Sequence, residues 1–126
     1  MPARRPSPWL RIAILALLPG AVIAADPAGV QPLATELRGQ AVLRAMDCAR
    51  CHGRDYDGWA APSLLAAVRD GSRQRFDRWV LEGDSGRGMP GYKGQPLVVA
   101  ELDAIYAYLR ARAAGRALTA PSPTAP

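Results

Sequence analysis

Apolar residues recur at helical spacing in three stretches of the chain, and these stretches predict three helices. The first spans residues 31–46, the second begins at Ser72 and stops at Gly83, and the third follows Pro96. The apolar positions along them are Leu33, Leu37, Val42 and Leu43, then Phe76, Trp79, Val80 and Leu81, then Val98, Leu102, Ile105, Tyr106 and Leu109. No stretch alternates as a half-buried strand would, so the pattern predicts an all-α protein.

The positions of the glycines predict two loops and one close approach between helices. Residues 53–62 are rich in turn formers, and residues 83–94 hold five glycines and one proline, so both segments are expected to be loops. Gly39 lies inside the first predicted helix, where glycine costs about 1 kcal/mol relative to alanine. We therefore expect another helix to approach closely at Gly39. The low-complexity tail, residues 117–126, is predicted to be disordered.

The N-terminus has the composition of a secretory signal. Three arginines precede an apolar run at residues 12–18, a proline-glycine pair interrupts it, and small residues follow. The run is much shorter than the roughly 20 residues that a spanning helix needs. We expect residues 1–25 to be a signal peptide, cleaved after Ala24 or Ala25, with no stable membrane span. Residues 26–116 would then form a single domain in the periplasm.

The charge of the chain does not favour nucleic-acid binding. The full sequence has sixteen basic and eleven acidic residues, a net charge of +5. Because the predicted signal peptide contains three arginines and no acid, the mature chain keeps thirteen basic and eleven acidic residues, a net charge of +2. These charges are interspersed and form no basic run, which is typical of a solvated surface.

Cys48, Cys51 and His52 form a Cys-x-x-Cys-His segment that holds the only cysteines and the only histidine of the chain. A structural zinc site would lack a fourth such ligand. A thiol-disulfide oxidoreductase normally carries its cysteine pair after a strand, whereas helices are predicted on both sides here. A structural disulfide would close a very short loop, which adds little stability, and would leave the histidine without a role. Covalent attachment of a c-type haem uses all three residues.

Met89 is the candidate for the second axial position on the iron. It is followed by Pro90 in the glycine-rich loop, far from His52 in the chain, and a methionine that only filled a core would be expected on a helix face. The other mature methionine, Met46, lies just before the cysteines and is not expected to reach the opposite face of the ring. Trp79 and Tyr92 are expected either to pack near the haem and its propionates or to be ordinary core aromatics.

The sequence resembles the class I c-type cytochromes over nearly all of its mature length. The resemblance is carried by Gly39, the segment Cys48-Ala49-Arg50-Cys51-His52-Gly53, Pro62, Gly88-Met89-Pro90 and the aromatic C-terminal helix. It implies a cytochrome c fold, with three to five short helices and long loops around one covalent haem c. It also implies that the first and last helices cross at Gly39 near Ile105, Tyr106 and Leu109, and that the Pro62 carbonyl orients His52.

A narrower resemblance, in "GWAAPSLL" and "GMPGYKGQPL", is to small periplasmic cytochromes that accept electrons from pyrroloquinoline-quinone (PQQ) alcohol dehydrogenases. It implies a monomeric one-electron carrier with such a dehydrogenase as donor and a terminal oxidase or another cytochrome as acceptor. Because Lys93 is the sole lysine, a lysine-rich docking face is not expected. Histidine and methionine on both sides of the iron leave no free position for a substrate, so we expect no enzyme activity.

Two other functions remain open on the sequence. A ligand-binding or sensory haem protein would require Met89 to dissociate, and the neighbouring glycines would allow its loop to move. A weak peroxidase would need a distal acid-base residue, for which no second histidine is available.

Overall fold

The computed structural model describes residues 27–116, together with Met1 and Leu118. Apart from Met1 and Leu118, the expected signal peptide (1–25) and tail (117–126) lie outside these residues. The helices are α1 (Pro27–Ala45), α2 (Ala49–His52), α3 (Leu64–Asp70), α4 (Arg73–Glu82), α5 (Pro96–Ala100) and α6 (Leu102–Ala113), with a 3₁₀ turn at Ser85–Arg87. The described residues contain no strand, so the all-α prediction is confirmed, although there are six helices where three to five were expected.

Helices α1 and α6 cross at Gly39. A Cβ atom on Gly39 would overlap the carbonyl group of Ala104 and would lie 2.8 Å from the amide nitrogen of Ile105. Only a residue without a side chain allows the two backbones to approach this closely. The expected crossing is confirmed, and it explains a glycine in the interior of α1.

The boundaries of α4 agree with the prediction because both caps are local. The Ser72 hydroxyl accepts a hydrogen bond from the Arg75 amide, which satisfies one of the free N–H groups at the start of the helix. Gly83 ends the helix with a φ of 73°, and its amide donates to the Trp79 carbonyl. Phe76 is the buried residue of α4 and points into the core.

The long third helix predicted after Pro96 is two helices, α5 and α6, separated at Glu101. Glu101 has φ −110° and ψ 17°, outside the helical region. Its amide still donates to Leu97, its carbonyl accepts from the Ile105 amide, and its carboxylate accepts from the Arg38 guanidinium of α1. The break escapes sequence analysis because the apolar stripe continues across it.

The remaining differences lie at short or terminal elements. α1 begins at Pro27, four residues before the predicted start. The two short helices α2 and α3 were not predicted, because four and seven residues are too few to show a helical period.

The hydrophobic core contains residues from α1, from the loop after α2, and from α3 to α6. Its buried members are Val42, Leu43, Tyr56, Val68, Phe76, Val98, Ile105, Tyr108 and Leu109. Among the described residues, no helix is long and apolar enough to cross a membrane.

Candidate functional site

The Cys-x-x-Cys-His segment is held at a sharp junction between α1 and α2. Asp47 has a φ of 52°, a left-handed conformation that turns the chain between the two helices. The Cys48 amide donates to the Leu43 carbonyl at the end of α1, and His52 is the last residue of α2. The two cysteines are not joined in a disulfide, and Cys48 is half-buried while Cys51 is exposed.

Burial raises the pKa of the Cys48 thiol to about 11, and the nearby Asp47 and Cys51 add to the shift. Thiol-disulfide oxidoreductases depend on the opposite shift, toward a stable thiolate. Among the described residues, no three histidine, cysteine or acidic side chains are placed to hold a metal ion. The shift at Cys48 is therefore the opposite of the one on which the thiol-redox alternative depends.

The loop between α2 and α3 folds back onto the histidine. Nδ1 of His52 lies 2.7 Å from the carbonyl oxygen of Pro62. Because a carbonyl can only accept, Nδ1 carries the hydrogen, and in the neutral imidazole the lone pair is then on Nε2. The Gly58 amide donates to the His52 carbonyl, and the Ala61 amide donates to the Cys51 carbonyl. The loop thus fixes both the position and the tautomer of the imidazole.

Three adjoining cavities surround Met89. The largest, of about 300 Å³, is lined by His52 and Met89 and also by Pro62 and Trp79. A second, of about 130 Å³, is lined by Cys48, Cys51, Met89 and Tyr92. A small inner cavity of about 40 Å³ reaches the core and includes Met46. The structure therefore brings together all seven residues singled out from the sequence.

The cavity walls suit a large, mostly apolar ring. Leu64, Phe76 and Val80 line both the largest and the inner cavity, and Phe76 is almost completely buried. The cysteines line the adjoining cavity, and His52 and Met89 offer an imidazole nitrogen and a thioether sulfur. These donors and this apolar lining fit an iron porphyrin attached by two thioether bonds.

Trp79 and Tyr92 line different cavities. Trp79 lines the largest cavity and is 43% exposed, and the Arg75 guanidinium lies 5.4 Å from its ring centroid. Tyr92 is half-buried beside the cysteines, and burial raises the pKa of its hydroxyl.

Sequence reasoning missed several residues of this site. Ser63 begins α3 by accepting the Ala66 amide, and this short helix places Leu64 on the cavity wall. A serine ahead of the apolar pair Leu64-Leu65 was an available signal for that helix. Asp84 and Arg87 also line the largest cavity, and their side chains approach to 3.5 Å. Nothing in the local pattern distinguishes these two residues from ordinary loop residues.

Comparison with known proteins agrees with this geometry. Residues 34–109 match the family described as cytochrome C oxidase, cbb3-type, subunit III. The chain is 32% identical, over 105 residues, to cytochrome c-555 of Methylococcus capsulatus, and the alignment covers 82% of each chain. No solved structure matches the chain. An all-α fold with these relatives defines a class I c-type cytochrome.

The chain belongs to the family described as cytochrome C oxidase, cbb3-type, subunit III. Membership means that it carries a covalently bound haem c, and Cys48 and Cys51 have the spacing that attachment uses. It also means that the protein is an electron carrier that acts between redox partners.

Proposed function

We propose that His52 and Met89 are the two axial ligands of the haem iron, and that the protein shuttles single electrons in the periplasm. The observation that supports this proposal is that one cavity of about 300 Å³ is lined by both His52 and Met89. Cys48 and Cys51 line the adjoining cavity together with Met89. The four side chains therefore surround one site.

The protein residues would supply orientation and a dry environment. Pro62 holds the imidazole through its carbonyl oxygen, 2.7 Å from Nδ1, which leaves Nε2 free to bind iron. Leu64, Phe76 and Val80 line the cavity with apolar surface, which would disfavour water beside the haem. The bound haem supplies the one-electron redox couple. A thioether ligand and an apolar surrounding favour the reduced state relative to bis-histidine ligation.

The surface around Cys51 is the proposed place of electron entry and exit, because Cys51 is exposed while Cys48 is half-buried. Trp79 and Tyr92 are proposed to close the cavity around the prosthetic group, since each lines a cavity that also contains Met89. With both axial positions filled, no coordination position is left for a substrate, which supports a carrier over an enzyme.

We propose a PQQ-dependent alcohol dehydrogenase of the periplasm as donor, and a terminal oxidase or another cytochrome as acceptor. The donor rests on the sequence resemblance, and the description of the matched family, which names an oxidase subunit, supports the acceptor. The signal-like N-terminus supports a periplasmic location. We propose that the carrier is a monomer that meets its partners through small, short-lived interfaces.

The ligand assignment is tested by the absorption spectrum of the oxidised holoprotein. Thioether ligation gives ferric haem a weak far-red band, which should be present in the wild type and absent in Met89→Leu. Met46→Leu is the matched control, because Met46 lines only the inner cavity. Loss of the band in Met46→Leu but not in Met89→Leu would transfer the ligand role to Met46.

The donor assignment is tested by stopped-flow reduction of the oxidised cytochrome with a purified PQQ alcohol dehydrogenase and its alcohol. We expect rapid reduction that saturates with dehydrogenase and is absent without alcohol. A cytochrome that is reduced by dithionite but not by the dehydrogenase would overturn this donor while leaving the carrier function intact.

A further inference from the structure

The loop that carries Met89 is closed on itself through its backbone. The Asp84 amide donates to the Met89 carbonyl at 2.9 Å, and the Met89 amide donates to the Asp84 carbonyl at 3.0 Å. The 3₁₀ turn Ser85–Arg87 fills the space between them. Met89 therefore stands at the end of a closed turn with a defined position.

The same loop also binds the C-terminal end of α4. The Tyr92 amide donates to the Val80 carbonyl, and the Lys93 amide donates to the Leu81 carbonyl, both at 3.0 Å. The last carbonyls of a helix have no partner within it, so they must find one elsewhere. Here the chain just after Met89 provides that partner, which joins the loop to α4.

Two glycines allow this contact to be made backbone against backbone. A Cβ atom on Gly83 would lie 2.5 Å from the Gly91 nitrogen and 2.6 Å from the Met89 carbonyl oxygen. A Cβ atom on Gly91 would lie 2.5 Å from the Glu82 carbonyl oxygen and 2.9 Å from that of Leu81. Neither position has room for a methyl group.

We propose that Gly83 and Gly91 form a clasp that positions Met89 and keeps the sixth coordination position closed to external ligands. This proposal rests on the proposed function, in which Met89 is an axial ligand. Gly83 and Gly91 are positioning residues, because they act through the backbone that carries Met89. By holding Met89 in place, the clasp would keep the protein an electron carrier, whereas release of Met89 would allow the haem to bind external ligands.

The required displacement is large compared with the tolerance of a metal–ligand bond. Atoms in ordinary contact lie about 3.5–4.0 Å apart, so an alanine at Gly83 or Gly91 would push the facing backbone away by about 1 Å. Metal–ligand distances are held to within about 0.2 Å. A shift of this size at Met89 would weaken or break its bond to iron.

The loop provides its own matched controls. Gly83 combines a positive φ of 73° with the close contact, whereas Gly91 has the contact without a positive φ. Gly88 has a φ of 80° and no atom within 4 Å of an added Cβ, and Gly94 has neither a positive φ nor a neighbour. Alanine at these four positions separates backbone strain from the closeness of the contact.

The experiment compares the four alanine variants with the wild type as purified holoproteins. The far-red band of the oxidised form reports Met89 ligation, and the rate of carbon monoxide binding to the reduced form reports access to the iron. Gly83→Ala and Gly91→Ala should lose most of the band and bind carbon monoxide at least about tenfold faster. Gly88→Ala should melt at a lower temperature but keep the band, and Gly94→Ala should match the wild type.

The outcomes separate the clasp from the ligand assignment. If the wild type shows a band that Met89→Leu abolishes, while Gly83→Ala and Gly91→Ala keep it, the clasp is overturned and the ligand assignment stands. If Met89→Leu leaves the wild-type spectrum unchanged, both proposals are overturned, because the clasp depends on the ligand.

Hydrogen exchange of the wild-type protein decides the question if Gly83→Ala and Gly91→Ala yield no holoprotein. The amides of Tyr92 and Lys93 should then exchange as slowly as those within α4. Exchange as fast as that of the exposed Gly94 amide would show that the loop opens freely and would overturn the clasp.

Discussion

Gly39 of α1 lies against the main chain of Ala104 in α6, so closely that one added methyl group would overlap the Ala104 carbonyl oxygen. Gly39→Ala should therefore destabilise the holoprotein by about 1–3 kcal/mol, the usual cost of overpacking. Helix propensity alone would give the opposite sign, a gain of about 1 kcal/mol. The measurement is unfolding by guanidinium chloride, with Gly94→Ala, which meets no neighbouring atom, as the control. A more stable Gly39→Ala variant would contradict the close crossing.

The bond between His52 and Pro62 should tune the reduction potential. Donation from Nδ1 to the carbonyl makes the imidazole a stronger donor to iron, which favours the ferric state. Pro62→Ala keeps the carbonyl but loosens its position, so the potential should rise. A hydrogen bond worth about 0.5–1.5 kcal/mol corresponds to at most about 20–60 mV for one electron.

Redox titration of Pro62→Ala measures this shift, and Pro96→Ala is the control because Pro96 opens helix α5 and lines none of the three cavities around Met89. A fall in potential, or equal shifts in both variants, would speak against the proposed role of Pro62.

Arg116 should contribute to stability through a buried acid. The Glu36 side chain is only 5% exposed, and the Arg116 guanidinium lies 2.7 Å from its carboxylate. Arg116→Ala leaves that carboxylate buried without its partner, which should cost about 1–3 kcal/mol. Denaturant unfolding measures the loss. Arg69→Ala is the comparison, since the Arg69–Asp70 pair is exposed on both sides and should show no measurable change. If Arg116→Ala and Arg69→Ala unfolded at the same denaturant concentration, the larger contribution of Arg116 to stability would be refuted.

Removal of both thioether cysteines should release the haem and unfold the domain. A cavity penalty of about 24 cal/mol per Å³, applied to the cavity of about 300 Å³, gives about 7 kcal/mol. This cost is similar to the whole stability of a small domain, about 5–15 kcal/mol. The double variant Cys48→Ala/Cys51→Ala should thus lose haem in acid acetone and give an apoprotein without a cooperative melting transition.

Each single variant should keep its haem on a denaturing gel, because one thioether remains. An apoprotein of the double variant that melts cooperatively near the wild-type temperature would show that the surrounding helices stand without the prosthetic group.

Local signals account for what the sequence could predict. Ser72 and Gly83 define α4 because each acts on residues within one helical turn. The cysteine pair and His52 were recognisable because their chemistry depends on spacing along the chain. The break at Glu101 could not be predicted, since glutamate is a good helix former and the apolar pattern continues across it; its contact with Arg38, 63 residues away, is visible only in the fold.

In the candidate site, too, some features could be predicted from local sequence and others depend on contacts between distant residues. Met89 was singled out because a thioether is unusual in a glycine-rich loop, and the cavity that it shares with His52 is visible only in the fold. The glycines of that loop look alike in the sequence, yet Gly83 and Gly91 touch backbone while Gly88 and Gly94 face open space. Only the three-dimensional contact distinguishes them.

The crossing of α1 and α6 also has a consequence for how the chain folds. Gly39 and Ala104 bracket every residue assigned to the haem, from Cys48 to Tyr92, so their contact closes one long loop around the prosthetic group. Closing this loop has an entropic cost, which is offset by the packing of the residues inside it. We therefore expect the contact between the terminal helices to be lost together with the packing of the interior, so that the domain unfolds in one cooperative step.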